Sequence, residues 1–85
     1  MMSKRYKEPI AVWLNEKREP ALFTWREKTY HVRVINSWKL SDRWWDNERF
    51  SDRTYFRVLT NDHMAFDVYF DAAHEGIWIL DVVHD

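Results

Sequence analysis

Tyr55-Phe56-Arg57-Val58-Leu59-Thr60, then Asn61-Asp62-His63, then Met64-Ala65-Phe66-Asp67-Val68-Tyr69-Phe70-Asp71: the reading of this stretch decides the fold. Both arms alternate apolar and polar residues, the pattern of half-buried β-strands. A three-residue loop sets Arg57 opposite Asp67, Phe56 opposite Val68, Val58 opposite Phe66 and Tyr55 opposite Tyr69. A two-residue loop would set Arg57 against Phe66 and mix the faces. Parity therefore selects the longer loop, because a one-residue slip moves every side chain to the other side of the sheet. The inward face is then Phe56, Val58, Met64, Phe66, Val68 and Phe70, and the outward face Tyr55, Arg57, Asp67 and Tyr69.

Working outward, the same period recurs. Ile10, Val12 and Leu14 alternate with Ala11 and Trp13, which predicts a first strand after Pro9. The polar run Asn15 to Pro20 reads as a turn. Ala21, Phe23 and Trp25 then alternate with Leu22 and Thr24, and Tyr30, Val32 and Val34 with His31, Arg33 and Ile35, in a strand that runs on towards Trp38. A Glu27-Lys28 turn would face Trp25 to Tyr30, Phe23 to Val32, Ala21 to Val34 and Thr24 to His31, although Glu-Lys is not the Asn-Gly type that two-residue hairpins prefer. After the central hairpin, Asp71 to Gly76 makes a turn in which Gly76 supplies any positive φ. A last strand, Ile77 to Val83, sets Trp78, Leu80 and Val82 inward and Asp81 with Ile77 and Ile79 outward. Lys39 to Asp52 reads as a long aromatic loop, with Ser41 placed to cap one helical turn from Asp42. The expectation is a single all-β domain over residues 1–85, a six-stranded antiparallel meander curled into a small barrel or half-barrel, since curling hides exposed edges.

Composition bounds the function. The 85 residues hold fifteen aromatics and no cysteine, so a core forms without disulfides, and thiolate metal sites are excluded. No apolar run approaches the roughly 20 residues of a membrane-spanning helix, and no apolar stretch follows the basic N-terminus, which argues against a signal peptide. These features predict a soluble cytoplasmic domain that makes no membrane contact. The net charge of −1 hides a strong polarity. Residues 1–57 carry thirteen Lys/Arg against eight Asp/Glu, a net of +5, whereas 58–85 carry six acids and no base, a net of −6. Segregation of that kind supplies either a binding surface or cross-strand ion pairs such as Arg57–Asp67.

Three groups of residues are candidates for chemistry. Trp38 and the pair Trp44-Trp45 are interleaved with Arg43, Arg49 and Arg53. Exposed aromatics stack on unpaired bases at about 1–3 kcal/mol each, while arginines neutralise phosphate. The same side chains also serve as hot spots for a protein partner, or seal an open barrel end. Arg33 and Arg57 form a second group, read as surface ion-pair donors before a basic stripe. The histidines are third. His63 and His74 fall at opposite ends of one strand, more than about 20 Å apart at 3.3 Å per residue, so no shared metal is expected, and His31 reads as a rim residue. No Gly-rich phosphate loop, nucleophile elbow or singled-out carboxylate pair is present, so no catalytic residue, metal or cofactor is expected and the chain reads as non-enzymatic.

The ordered set Tyr6-Lys7-Glu8-Pro9, Phe23-Thr24-Trp25-Arg26, Tyr30-His31-Val32, Trp38 with Trp44-Trp45, Phe56-Arg57-Val58, Asp67-Val68-Tyr69 and Trp78-Ile79-Leu80 resembles an uncharacterised family of small bacterial proteins. The resemblance covers nearly the whole chain. It departs at Glu27, where the family usually has glycine after the Trp-Arg pair. Some members are encoded near, or fused to, translesion DNA polymerase components, which implies a DNA repair setting, and the family supplies no catalytic residues. The reading that follows is a module for single-stranded or distorted nucleic acid. Its rivals are docking on a repair polymerase through Trp44, Trp45 and the arginines, or a homodimer that buries the aromatic patch.

Overall fold

The computed structural model describes residues 3–44, 49–73 and 76–84, with the side chains of 41–51 outside that description. Six antiparallel strands form a closed barrel in chain order: β1 (Ser3–Leu14), β2 (Pro20–Trp25), β3 (Lys28–Trp44), β4 (Arg49–Thr60), β5 (Ala65–Asp71) and β6 (Ile77–His84). Among the described residues no helix is long and apolar enough to cross a membrane. Phe23, Val58, Phe66, Val68 and Leu80 are fully buried inside, with Val83 beside them. Phe66 meets Phe23 edge-on at 5.2 Å and lies 5.1 Å from Tyr30.

The central hairpin has the register that parity selects. Arg57 faces Asp67, Phe56 faces Val68 and Tyr55 faces Tyr69. The loop closes with the Thr60 N–H donating to the Met64 carbonyl at 2.9 Å and the His63 N–H to the Thr60 carbonyl at 3.1 Å, with His63 at φ 66°. That is a three-residue hairpin loop ending in a left-handed residue. Gly76, at φ 67°, ends the following turn and donates its N–H to the Asp71 carbonyl.

Several expectations are corrected. The first strand starts at Ser3 and runs through Pro9; residues 3–10 pair with β6 alone, and proline is tolerated where one side of a strand is free. Leu14 is exposed, because a bulge between Trp13 and Leu14 breaks the alternation. The turn between β2 and β3 is Arg26-Glu27, not Glu27-Lys28, with φ 50° and 65°. Both central residues lie in the left-handed region, as a type I′ turn requires. Trp25 therefore faces Lys28, Phe23 faces Tyr30 and His31 faces Leu22. The shift is by two positions, so each residue keeps its face, and it stacks Phe23 on Tyr30 at 5.1 Å. In β6 an extra residue, Asp81, separates Leu80 (opposite Val68) from Val82 (opposite Asp67). That bulge turns Val83 inward in place of Val82.

The largest correction concerns Lys39 to Asp52, which is not a long loop with a helical turn. β3 and β4 pair from Val32↔Thr60 to Trp44↔Arg49, with a bulge at Ile35, and beyond Leu40↔Arg53, where pairing with β5 ends, they run on as a two-stranded arm. Ser41 and Asp42 lie within β3.

Every strand of the barrel pairs with both neighbours, but β1 and β3 do so with different parts of their length. β1 changes partner at Ala11, from β6 to β2, and β3 changes partner at Val32, from β2 to β4. Side chains bridge the first gap. Trp25 Nε1 donates to Glu8 Oε1 at 2.9 Å, and Arg26 forks onto both Glu8 oxygens at 3.3 and 2.7 Å. The guanidinium lies 4.9 Å from the Tyr6 ring and 4.8 Å from Trp25, whose own rings meet edge-on at 5.0 Å. The hydrogen bond from Arg26, then that from Trp25, hold the Glu8 carboxyl below the usual carboxylate range.

Candidate binding surface

The outer face of β3, β4 and β5 is organised in rows, because cross-strand partners share a face. One row runs Trp38↔Tyr55↔Tyr69. Trp38 and Tyr55 stack with centroids 5.3 Å apart and planes 4° from parallel, and Tyr55 lies 4.9 Å from Tyr69. Arginines flank this row on both sides. Arg57 approaches the Trp38 ring at 5.6 Å and Arg53 the Tyr69 ring at 4.7 Å, with Arg53 Nη1 donating to the Tyr55 hydroxyl at 3.3 Å. Tyr69, at 5% exposure, is sealed at the inner end of the row, and burial pushes its hydroxyl pKa up. Trp38, at 37%, ends the stack at the open side.

Both flanking arginines have carboxylate partners. Arg57 binds Asp67 through two nitrogens at 2.8 and 3.1 Å, and Arg53 Nε lies 3.7 Å from Asp71. Arg5 Nε lies 3.6 Å from Asp81. Acids from the last 28 residues thus meet arginines from the first 57, which accounts for part of the charge segregation. The outward assignment of Asp67 and Tyr69 holds, but neither is solvated: Asp67 is 6% exposed. His84 Nε2 lies 2.9 Å from Asp67 Oδ2, and its Nδ1 lies 3.0 Å from Ser3 Oγ. A carboxylate only accepts, so Nε2 carries the hydrogen of the contact with Asp67. Burial pushes the Asp67 carboxyl up, but the hydrogen bonds from Arg57 and His84 outweigh it and hold it below the usual range.

Of the residues singled out from sequence, Trp38 and Arg53 are brought onto one surface. Arg43 pairs with Phe50 and Trp44 with Arg49 in backbone register on the arm, their side chains lying outside the description. Trp45 lies outside the described residues, as does His74. Sequence reasoning set Tyr55 and Tyr69 outward without counting them as part of the site. The signal was present, since the three-residue loop pairs them and a strand continued to Trp38 completes the row. Arg33 is exposed on β3, His31 is exposed and His63 sits in its loop. Among the described residues, no group of three or more metal-ligating side chains comes together.

No curated protein and no solved structure matches the chain. One family model does, across residues 1–85 and so across every element described above, and the chain belongs to that family, DUF6504, a domain of unknown function.

Proposed function

We propose that this domain is a non-enzymatic binding module that takes single-stranded or distorted nucleic acid on the outer face of β3 and β4, in a DNA repair or translesion setting. The observation that carries the reading is the Trp38–Tyr55–Tyr69 row. It is a stack of rings already ordered by packing, ending in a half-exposed indole on which an unpaired base can continue the series. Ordering the rings in advance removes part of the entropy lost on binding. The repair setting rests on the family resemblance alone.

The phosphate side is modest. Arg57 and Arg53 are matched by Asp67 and Asp71, so neither arginine of this row is free to supply the counterion release of phosphate binding. The same fact favours a second reading, docking on a repair polymerase. Paired arginines beside an exposed Trp resemble a protein hot spot, and the next row, Leu40↔Arg53↔Asp71↔Ile77, ends in two exposed apolar residues.

Fluorescence anisotropy with labelled oligo(dT) and a matching duplex separates them. The nucleic-acid reading expects saturable binding that prefers the single strand, weakens with salt, and is lost in Trp38→Ala and in the Trp44→Ala/Trp45→Ala variant. Absence of binding at low salt overturns it and leaves the protein-docking reading.

A further inference from the structure

We infer that His84 sets the charge of the aromatic face, so that an anionic strand binds there more tightly when the imidazole is protonated; the inference rests on the nucleic-acid reading above. The ring sits at the end of β6 between two partners, with Nε2 2.9 Å from Asp67 Oδ2 and Nδ1 3.0 Å from Ser3 Oγ. Both partners serve either protonation state. The carboxylate accepts from Nε2 whether or not the ring is charged. A hydroxyl both donates and accepts, so Ser3 gives its hydrogen to a bare Nδ1 and accepts from a protonated one. The ring therefore gains or loses a proton in place, and no hydrogen bond is lost in either state. Histidine is the side chain whose charge changes between about pH 5 and 8.

One carboxylate separates that proton from the binding face. Asp67 joins His84 to Arg57, whose guanidinium binds it at 2.8 and 3.1 Å and lies 5.6 Å from the Trp38 ring. The hydrogen bonds from Arg57 and His84 hold Asp67 below the usual carboxylate range, so it stays ionised while a histidine titrates. With His84 neutral, Arg57 and Asp67 cancel. With His84 charged, one carboxylate is shared by two cations, and the surplus falls on Arg57, whose side chain is far more exposed than that of Asp67. That surplus is what the paired arginines otherwise lack for phosphate. The other charges around His84 do not offset it. On β1, Lys4 stands opposite Val83, and Arg5, opposite Val82, is matched by Asp81 of β6 at 3.6 Å. Along the row Ser3↔His84↔Ala65↔Leu59↔Arg33 the one further charge is the exposed Arg33. By reciprocity, an anion held beside Arg57 favours protonation of His84 by the same factor.

The test measures the affinity for labelled oligo(dT), whose thymines do not titrate in this range, at fixed ionic strength and at pH values across the histidine window. Binding is expected to tighten by about threefold or more from the top of the window to the bottom, the scale of one charge acting over several ångströms through water. His84→Gln keeps an amide donor for Asp67 and removes the titrating proton, so its affinity is expected to stay level, with the fold checked by circular dichroism. In the wild type, the nitrogen resonances of the His84 ring are expected to titrate at higher pH when oligo(dT) is bound; if His84→Gln does not fold, that titration decides. A level wild-type profile, a dependence that His84→Gln leaves intact, or a His84 titration unmoved by oligo(dT) would overturn the inference and leave the nucleic-acid reading standing. No binding at any pH would overturn both.

Discussion

The interior of the barrel and the outer face of its β4–β5–β6 wall both exclude water, by opposite means. Inside, Phe23, Val58, Phe66, Val68 and Leu80 fill the space with apolar shape alone. Outside, Tyr69, Asp67, Asp71 and Asp81 are almost as buried, yet each acid lies beside an arginine and Tyr69 lies beneath one. Apolar packing is non-directional and stabilises whatever fits. Paired charges are directional, costly to desolvate and intolerant of losing one partner. The interior therefore supplies most of the stability, whereas the outer wall fixes where the Trp38–Tyr55–Tyr69 rings stand. The proposed binding of an unpaired base draws on both.

The strongest way to break the first half of that contrast is Phe66→Ala. Phe66 touches Phe23, Trp25 and Tyr30, so its removal opens a cavity bordered by three rings. Urea denaturation is expected to show a loss of about 3–5 kcal/mol, enough to unfold most molecules of so small a domain. A loss below about 1 kcal/mol, far under the usual range for such a truncation, would mean that the rings collapse inward and the interior is not a fixed shape.

On the outer wall the counterpart is Arg57→Met. It leaves Asp67 buried with His84 alone, and the half-exposed guanidinium brings the cost below that of a fully buried pair, to about 2–3 kcal/mol. The double variant Arg57→Met/Asp67→Asn is expected to be more stable than Arg57→Met, since it also removes the stranded charge. The pH dependence follows with a definite sign. Asp67 has a lowered folded pKa, so its contribution is fully present above the unfolded carboxylate value of about 4 and is lost as pH falls through the folded value. Acid titration of the wild type should show that loss, and Asp67→Asn should flatten it. An unchanged acid limb in Asp67→Asn would assign the acid sensitivity to other carboxylates.

The central hairpin was legible because Phe56, Val58, Phe66 and Val68 must share a buried face, so a wrong register carries a large penalty. Both deviations in β2–β3 and β6 arise where that penalty vanishes. A two-position shift keeps Phe23 and Tyr30 inward, so parity could not exclude it, and an added Asp81 leaves the pattern ambiguous until Leu80 and Val83 are both required inside. The arm was illegible for a related reason. Beyond Leu40↔Arg53 the two strands have no β5 beside them, no core imposes alternation on them, and a polar, turn-rich composition reads as a loop. The outer row was half legible. Its pairing follows from sequence, but the burial of Asp67 and Tyr69 follows only from the arginines that close over them.

Trp38→Ala sharpens the contrast from the outer side. It removes the exposed end of the stack while leaving Tyr55 on Tyr69, and stability is expected to fall by about 1 kcal/mol, the scale of one aromatic pair. Tyrosine fluorescence should report Tyr55 newly exposed, with binding to oligo(dT) lost out of proportion to the stability change. A larger loss of stability with binding intact would make the indole a lid over the ion pairs, and not part of a binding face.

The smallest effect is expected at Glu27, and it asks what sets the register of the β2–β3 hairpin. Glu27 sits at φ 65° and Arg26 at φ 50°, a region where side chains are disfavoured and glycine is not. Relief of that strain, less the extra freedom glycine gives the unfolded chain, should leave Glu27→Gly more stable by about 0.5 kcal/mol. If the stacked Phe23–Tyr30 pair fixes the register, the NOEs between those rings persist unchanged in the variant and only the midpoint of unfolding moves. If the turn fixes it, a more permissive residue there releases the hairpin to the alternative pairing of Phe23 with Val32, which the same spectrum detects. Packing is expected to win, because the alternative register moves Tyr30 away from Phe23 and Phe66, and the loss of those ring contacts exceeds anything a turn residue contributes.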